Sequence, residues 1–202
     1  MMMKNIPEIV LASKSARRKE ILTHLGFDPR IIVSDADETV DRLLSPEMLT
    51  EELSLRKAEA VKPYVSGNQL VIASDTVVAK DGRIFGKPKD EKNAFDMLSA
   101  LAGSIHKVVS GACVSYGEKT AVTHDVTFVT FRAMSDDEIR SYIAAEAPYD
   151  KAGAYGIQDK ASVFVEKIDG DYFNVVGLPV FKLFSLMQKE FGISYFDLLG
   201  GK

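Results

Sequence analysis

The chain has a single cysteine, Cys113, so it cannot close an intramolecular disulfide. That scarcity fits a reducing compartment, and a cytoplasmic protein is expected. No apolar run approaches the ~20 residues needed to cross a bilayer, so no membrane partner is expected. The opening MMMKNIPEIVLAS lacks a long apolar stretch followed by a small-residue cleavage site, so no secretory leader is expected. His24, His106 and His124 are isolated from one another, which argues against a zinc site. Neither a G-x-G-x-x-G nor a P-loop pattern occurs, so the two commonest phosphate-binding folds are disfavoured. An excess of positive charge is missing too: 25 Lys and Arg stand against 29 Asp and Glu, a net charge of -4. Non-specific binding to nucleic acid or to an anionic membrane is therefore not expected. An anionic substrate would have to be held by a local cluster of cations.

What is present is an ordinary globular balance, 46% hydrophobic and 27% charged over 202 residues. That length suits one large domain or two small lobes sharing a core. Nothing reads as a linker or an internal repeat. Ile9 to Ala12 reads as a short strand, followed by a helix from about Ala16 to Leu25 that Gly26 stops. Ser45-Pro46 opens a second helix reaching about Val61. Gln69 to Ala79 is a nearly continuous apolar run, a buried strand that turns at Asp81-Gly82 into a short partner ending near Phe85. Asp90 caps a helix bearing Ala94, Phe95, Leu98 and Leu101, closed by Gly103. Two long strands, about 106–116 and 120–132, meet at Gly117. Ser135 with Glu138 forms a capping box for the next helix, which carries Ile139, Tyr142 and Ile143. A last hairpin is expected over 162–176, turning at Asp169-Gly170, before a final helix bearing Val180, Leu183, Phe184 and Met187. Hairpins outnumber crossovers, so the expected fold is mixed α/β: a largely antiparallel twisted sheet flanked by helices.

Several residues are hard to explain as structure alone. In Ser13-Lys14-Ser15-Ala16-Arg17-Arg18 two arginines occupy the first turn of a helix, where cations oppose the helix dipole. Arg18 also leads the apolar stripe of Ile21, Leu22 and Leu25. Either the arginines are solvated beside an ordinary cap, or this end awaits an anion with N–H groups, hydroxyls and guanidiniums. Lys57 lies on the stripe of Leu49, Leu53 and Ala60, where snorkelling at the edge of a buried face is the plain alternative. Asp75 interrupts the buried run Leu70-Val71-Ile72-Ala73-Ser74 and Thr76-Val77-Val78. A carboxylate there is costly unless it is paired or binds metal, and a working role is favoured over a structural ion pair. Glu38 belongs to an acidic run that otherwise reads as a solvated loop. Gly86-Lys87-Pro88 stiffens a loop that carries a lysine. Tyr149-Asp150-Lys151-Ala152-Gly153-Ala154-Tyr155-Gly156-Ile157-Gln158, with two glycines and aromatics, suits a loop folding over a planar ligand. Four cations, two carboxylates and such a loop suit a metal-complexed polyphosphate carrying a base.

These segments together resemble the Maf family of nucleotide pyrophosphatases, whose fold is similar to that of the house-cleaning inosine triphosphate pyrophosphatases. The likeness covers LASKSARRKEIL at 11–22, Glu38, RKAEAV at 56–61, SDTVV at 74–78, GKP at 86–88, YDKAGAYGIQ at 149–158 and GDYFNVVGLP at 170–179. It implies one domain over 1–202, with two lobes around a central nucleotide cleft. It implies that Arg17, Arg18, Lys57 and Lys87 hold the triphosphate with Ser13 assisting. Glu38 and Asp75 would hold Mg²⁺ or Mn²⁺, and Asp75 would activate the attacking water. The positions of Arg17, Thr76 and Gln158 are tied in the family to substrate choice, and SDT with YGIQ resembles the branch acting on dTTP and UTP. The resemblance further implies a homodimer and a link to arrest of septum formation. The chain departs from the family pattern where Asp159 follows Gln158 in place of the usual Gly, a change that matters if the position needs positive φ. Ser110 stands where Thr is frequent.

The chemistry agrees with the implied reaction. A triphosphate brings roughly four negative charges that metal and cations must neutralise before water attacks. Hard oxygen ligands suit Mg²⁺, and a coordinated water loses its proton more readily. Attack at the α-phosphorus releases pyrophosphate and attack at the γ-phosphorus releases orthophosphate; the family resemblance, not the residues, selects the first. Three rival readings are a nucleotide-sensing regulator of septum formation, a pyrophosphatase acting mainly on a modified or non-pyrimidine nucleotide, and a bland α/β domain with scattered surface cations. A sensor could dispense with the water-activating carboxylate, so an intact Asp75 favours the enzyme.

Overall fold

The computed structural model describes residues 6–40 and 43–199; the leading methionines lie outside the described residues. Among the described residues seven strands form one sheet: β1 (Glu8–Leu11), β2 (Arg30–Ile31), β3 (Gln69–Lys80), β4 (Arg83–Phe85), β5 (Ile105–Tyr116), β6 (Lys119–Phe131) and β7 (Val165–Asp169). The order is β2-β1-β3-β5-β6-β7, with β4 also on β3. β1 pairs parallel with β2 and β3, and every other pairing is antiparallel. The fold is therefore mixed α/β with a largely antiparallel sheet. Seven α-helices accompany it among the described residues: α1 (Ala16–His24), α2 (Pro46–Val61), α3 (Glu91–Leu101), α4 (Asp136–Glu146), α5 (Tyr172–Val176), α6 (Val180–Phe191) and α7 (Tyr195–Leu199).

Both faces of the central strands are covered, which is why β3 reads as an unbroken apolar run. Alternate residues supply two cores. Val10, Ala12, Val71, Ala73 and Cys113 meet Ala58 and Val61 of α2 on one face. Ile9, Leu11, Leu70, Ile72, Val108 and Val114 face the larger core, with side chains of the other helices. Cys113 is buried within this packing, which pushes its thiol up to about 12, so it is inert at neutral pH.

α2 lies unusually close to the sheet. A Cβ on Gly111 would fall 2.3 Å from the backbone carbon and oxygen of Thr50, so only glycine fits beneath the helix. Its buried stripe is Thr50, Leu53, Ser54, Lys57, Ala58 and Val61, rotated from the expected Leu49-Leu53-Lys57-Ala60. The two hydroxyls are satisfied within the helix, Thr50 by Glu47 O and Ser54 by Glu51 O, so their burial costs little. The helix is fastened laterally by the Lys107–Glu47 ion pair at 2.8 Å and by a hydrogen bond between His124 Nδ1 and Glu51 Oε1 at 2.8 Å.

The helix signals read from the sequence recur as caps. Ser45 accepts from Met48 N, Asp90 from Asn93 N, and Ser135 with Glu138 forms the capping box. Asp81 and Gly82 take φ values of 49° and 75°, the left-handed pair that closes a two-residue hairpin. The expected hairpin over 162–176 is wrong. Only Val165–Asp169 is a strand; after Gly170 the chain turns into helix α5. Asp171 caps α5 by accepting from Phe173 N, and Gly177 at φ 125° ends it. A glycine followed two residues later by Pro179 is a helix-stop signal that the strand reading overlooked.

Candidate active site

The cleft begins as a gap in strand pairing. β1 pairs with Gln69–Ile72 of β3, while β4 pairs with Val78–Lys80. Between them β3 keeps β5 on one edge, as in the pair Asp75↔Gly111, but has no strand on the other among the described residues. Asp75 and Thr76 sit in that gap and point to opposite faces, so two sets of side chains converge on one opening. The opening is a cleft of about 680 Å³. Ser13, Arg17, Arg18, Glu38, Lys57, Asp75, Thr76, Lys87 and Gln158 all line it, so the nine residues singled out from the sequence are brought together.

On the α2 face, Lys57 lies between two carboxylates. Its Nζ is 2.5 Å from Asp75 Oδ1 and 3.2 Å from Glu38 Oε1. The Lys57 and Asp75 side chains are 11% and 12% exposed, so each charge has a partner that offsets its desolvation. Snorkelling does not describe this lysine. Glu38 is 53% exposed and comes from a loop, but that loop is held: Arg56 Nη1 donates to Asp37 O and Thr39 O, the carbonyls on either side of Glu38. Arg56 thus holds the backbone on either side of Glu38, a contact that the sequence did not announce.

On the other face, Arg18 is already engaged. Its Nε donates to Gly177 O at 2.8 Å, Nη2 to Thr76 Oγ1 at 3.1 Å, and Nη1 to Ser13 Oγ at 3.3 Å. Three of the guanidinium's five N–H donors are therefore engaged within the protein, so it is not a merely solvated arginine, and one N–H remains on each Nη. Burial pulls it below its ordinary value, opposed by the nearby Asp75 charge. Gly177 O also accepts from Ser74 Oγ at 3.0 Å, and Thr76 Oγ1 meets Ser110 Oγ at 2.8 Å. Asn174, wholly buried, secures α5 here: its amide accepts from Ser110 N and donates to Val108 O and Thr127 Oγ1. Of the residues that sequence reasoning missed, Asn174 lies in the segment read as a hairpin strand and Gly177 directly after it, while Arg56 and Ser74 lie elsewhere.

Arg17 reaches across the mouth of the cleft to Asp150, at 3.0 Å. Lys87 makes no ion pair or side-chain hydrogen bond among the described residues and stands exposed on its loop. That loop is tied to the 149–158 segment by Gly153 N donating to Gly86 O at 3.0 Å. Gly153, at φ 66°, sits against Val78, where a Cβ would come within 2.9 Å of Cγ2. Of the two aromatics of this segment, Tyr155 lines the cleft. Tyr155 is buried, its hydroxyl 2.8 Å from His106 Nε2 and its ring edge-on to Phe131, while Tyr149 does not line the cleft. Gln158 is exposed at the rim. Asp159 has φ -95°, so the position does not need glycine; its carboxylate lies 3.4 Å from Lys151 Nζ.

No cluster of three or more His, Cys, Asp or Glu occurs among the described residues, so a self-sufficient protein metal cage is not present there. Two carboxylates bridged by one ammonium are nevertheless a donor set that a hard divalent cation accepts, since Mg²⁺ completes its shell with waters and substrate oxygens.

The sequence profile of the family described as Maf-like protein matches residues 8–190. The chain is 46% identical over 189 residues to a protein of Alkaliphilus oremlandii (strain OhILAs) named dTTP/UTP pyrophosphatase, covering 93% of this chain and 98% of that one. It is 43% identical over 190 residues to a protein of the same name from Bacillus cereus (strain ATCC 10987 / NRS 248), covering 94% and 93%. A solved structure, that of the Staphylococcus aureus Ham1 protein, is similar over 61% of this chain and 71% of its own, with 22% identity and a TM-score of 0.43.

Proposed function

Because this chain belongs to the Maf-like protein family, we propose that it is a nucleoside triphosphate pyrophosphatase that cuts dTTP and UTP to the monophosphate and pyrophosphate. The observation that carries the reading is the convergence of Arg17, Arg18, Lys57 and Lys87 with Glu38 and Asp75 on one cleft. Cations gathered in a chain of net charge -4 answer the need for a local seat for a highly charged anion. The near full-length identity to proteins named dTTP/UTP pyrophosphatase supplies the substrate class. We read the chain as one domain with two lobes around this cleft; the continuous seven-stranded sheet supports a single unit.

In this reading Arg17, Arg18, Lys57 and Lys87 bind the phosphates, assisted by Ser13. Arg18 keeps its bond to Gly177 O as a brace, and its Nη groups, held only by Thr76 and Ser13 hydroxyls, can add a phosphate oxygen. Glu38 and Asp75 are the residues that would hold Mg²⁺ or Mn²⁺, and both carboxylates lie within 3.2 Å of Lys57 Nζ. A bound divalent metal would neutralise phosphate charge and acidify water. Asp75 takes the proton of the water that attacks the α-phosphorus, and the Lys57 ammonium beside it orients the carboxylate. Thr76 and Gln158 face the nucleoside end. The primary amide of Gln158 offers both a donor and an acceptor to the imide edge of uracil or thymine. A homodimer and a link to septum formation complete the reading on the family resemblance, and a cytoplasmic setting on the single cysteine.

The test is a panel of nucleotides with Mg²⁺ or Mn²⁺, with pyrophosphate and orthophosphate measured separately. UTP and dTTP should give equimolar monophosphate and pyrophosphate. Diphosphate and orthophosphate as main products would refute the assignment of the cleaved bond.

A further inference from the structure

Four charged groups run in a chain across the mouth of the cleft. Arg17 Nη1 is 3.0 Å from Asp150 Oδ2, Lys151 Nζ is 2.9 Å from Asp150 Oδ1, and Lys151 Nζ is 3.4 Å from Asp159 Oδ2. Asp150 thus spends its two oxygens on two cations from different elements, one in the first turn of α1 and one in the loop that carries Gln158. A phosphate group would bridge the same two donors in the same way, with more oxygens and up to twice the charge.

The exposures say which partner gives way. Asp150 is 64% exposed, whereas Arg17 is 27% and Lys151 only 11% exposed. The carboxylate can return to water at little cost, while the two cations stay where they are. An ion pair with one half-solvated member is weak and readily exchanged. Lys151, Arg17 and Asp150 all line the cleft that holds Arg18, Lys57 and Lys87, so an anion entering it meets this pair.

We propose that Arg17 and Lys151 form a further phosphate seat in this cleft, that Lys151 is an unassigned binding residue, and that Asp150 is the seat's resident competitor. Asp150 therefore helps set specificity: only a ligand whose phosphate outbids a carboxylate takes the seat, and it does so by joining helix α1 to the base-facing loop. The proposal rests on the polyphosphate reading of the cleft.

The experiment is calorimetric titration, with Mg²⁺ present, of inorganic tripolyphosphate and of α,β-methylene-UTP, which cannot be cut at the α–β bridge. Wild type is compared with Asp150→Asn, Asp150→Ser and Asp159→Asn. Melting curves check folding, and the exposed position of Asp150 makes two tolerated variants available. Both Asp150 variants should bind both probes about threefold to tenfold more tightly, the effect of removing one exposed pair partner. Asp159→Asn removes the same charge but gives up only the longer, 3.4 Å contact of Lys151 and leaves Asp150 on both cations, so its effect should stay under about twofold. If Asp150 variants bind no tighter, or if Asp159→Asn tightens binding equally, the proposal fails while the polyphosphate reading stands. If wild type binds neither probe, the polyphosphate reading falls and takes the seat with it.

Discussion

Replacing Asp75 with Asn should do two separable things. The neutral amide is nearly isosteric but removes the charge that faces Lys57 Nζ at 2.5 Å. Stranding one member of a buried pair typically costs about 3–5 kcal/mol. Here the loss is smaller because Glu38 remains 3.2 Å from the same ammonium, although it is 53% exposed. About 1–3 kcal/mol is expected, which lowers Tm by roughly 2–12 °C in a chain of this size. Turnover should fall much further, by roughly 10²–10⁴-fold, the scale of a lost acid-base group. Lys57→Met alone should also destabilise, since it buries Asp75 without a cation. The double variant should be more stable than the two losses summed, with a coupling of about 1–3 kcal/mol, yet remain inactive. Thermal melts of the four proteins without nucleotide give the stability cycle, and pyrophosphate release gives the activity. A coupling near zero would show that the pair does not compensate its own burial. A folded Asp75→Asn protein within tenfold of wild-type turnover would remove Asp75 as the base.

Gly111→Ala should cost more than about 3 kcal/mol, or prevent folding, because its Cβ would meet the Thr50 backbone at 2.3 Å and α2 cannot move off without breaking the Lys57–Asp75 contact; a melt within a degree or two of wild type would disprove the close approach. Arg18→Ala should lower the apo protein's stability by about 1–3 kcal/mol as well as weaken nucleotide binding, because three hydrogen bonds are lost; Arg18→Lys should restore little, having no fork. Burial pulls His106 down to about 4, from 6.5. The unfolded chain therefore takes up the proton first, so stability is complete above pH 6.5 and declines as pH falls towards 4, by about 3 kcal/mol. His106→Gln, able to keep a bond to the Tyr155 hydroxyl, should flatten urea midpoints across that window; an unchanged slope would assign the effect elsewhere. Gln158→Glu should narrow the kcat/KM gap between UTP and CTP, which the unpaired-group cost of about 1–3 kcal/mol sets at roughly tenfold to hundredfold; an unchanged ranking would mean that the amide does not read the base.

The sequence by itself determined the elements whose signals are local. The caps at Ser45, Asp90 and Ser135, the Asp81-Gly82 turn and the apolar runs of β3 and β5 depend on neighbours a few residues away, so the chain spells them out. It also marked Asp75 and Lys57 as misplaced charges, because a buried charge needs a partner whatever the fold. Tertiary structure alone decided what those charges meet. Lys57 faces Asp75 because Gly111 lets α2 settle onto the sheet, a contact between residues 50 and 111 that no local pattern encodes. Arg18 read as a cation with an anion to meet, since its helix opposes it; only the fold shows that the carbonyl of Gly177, 159 residues on, braces its Nε. The strand reading of 172–176 failed for the same reason: Asn174 is drawn into the sheet by Ser110, Val108 and Thr127, and that distant hydrogen bonding fixes a short helix where local residues permit either form. Asp159, flagged by its departure from the family pattern, proved to sit in extended backbone and to pair with Lys151. Local physics names the residues that need partners, and only the folded chain supplies the partners.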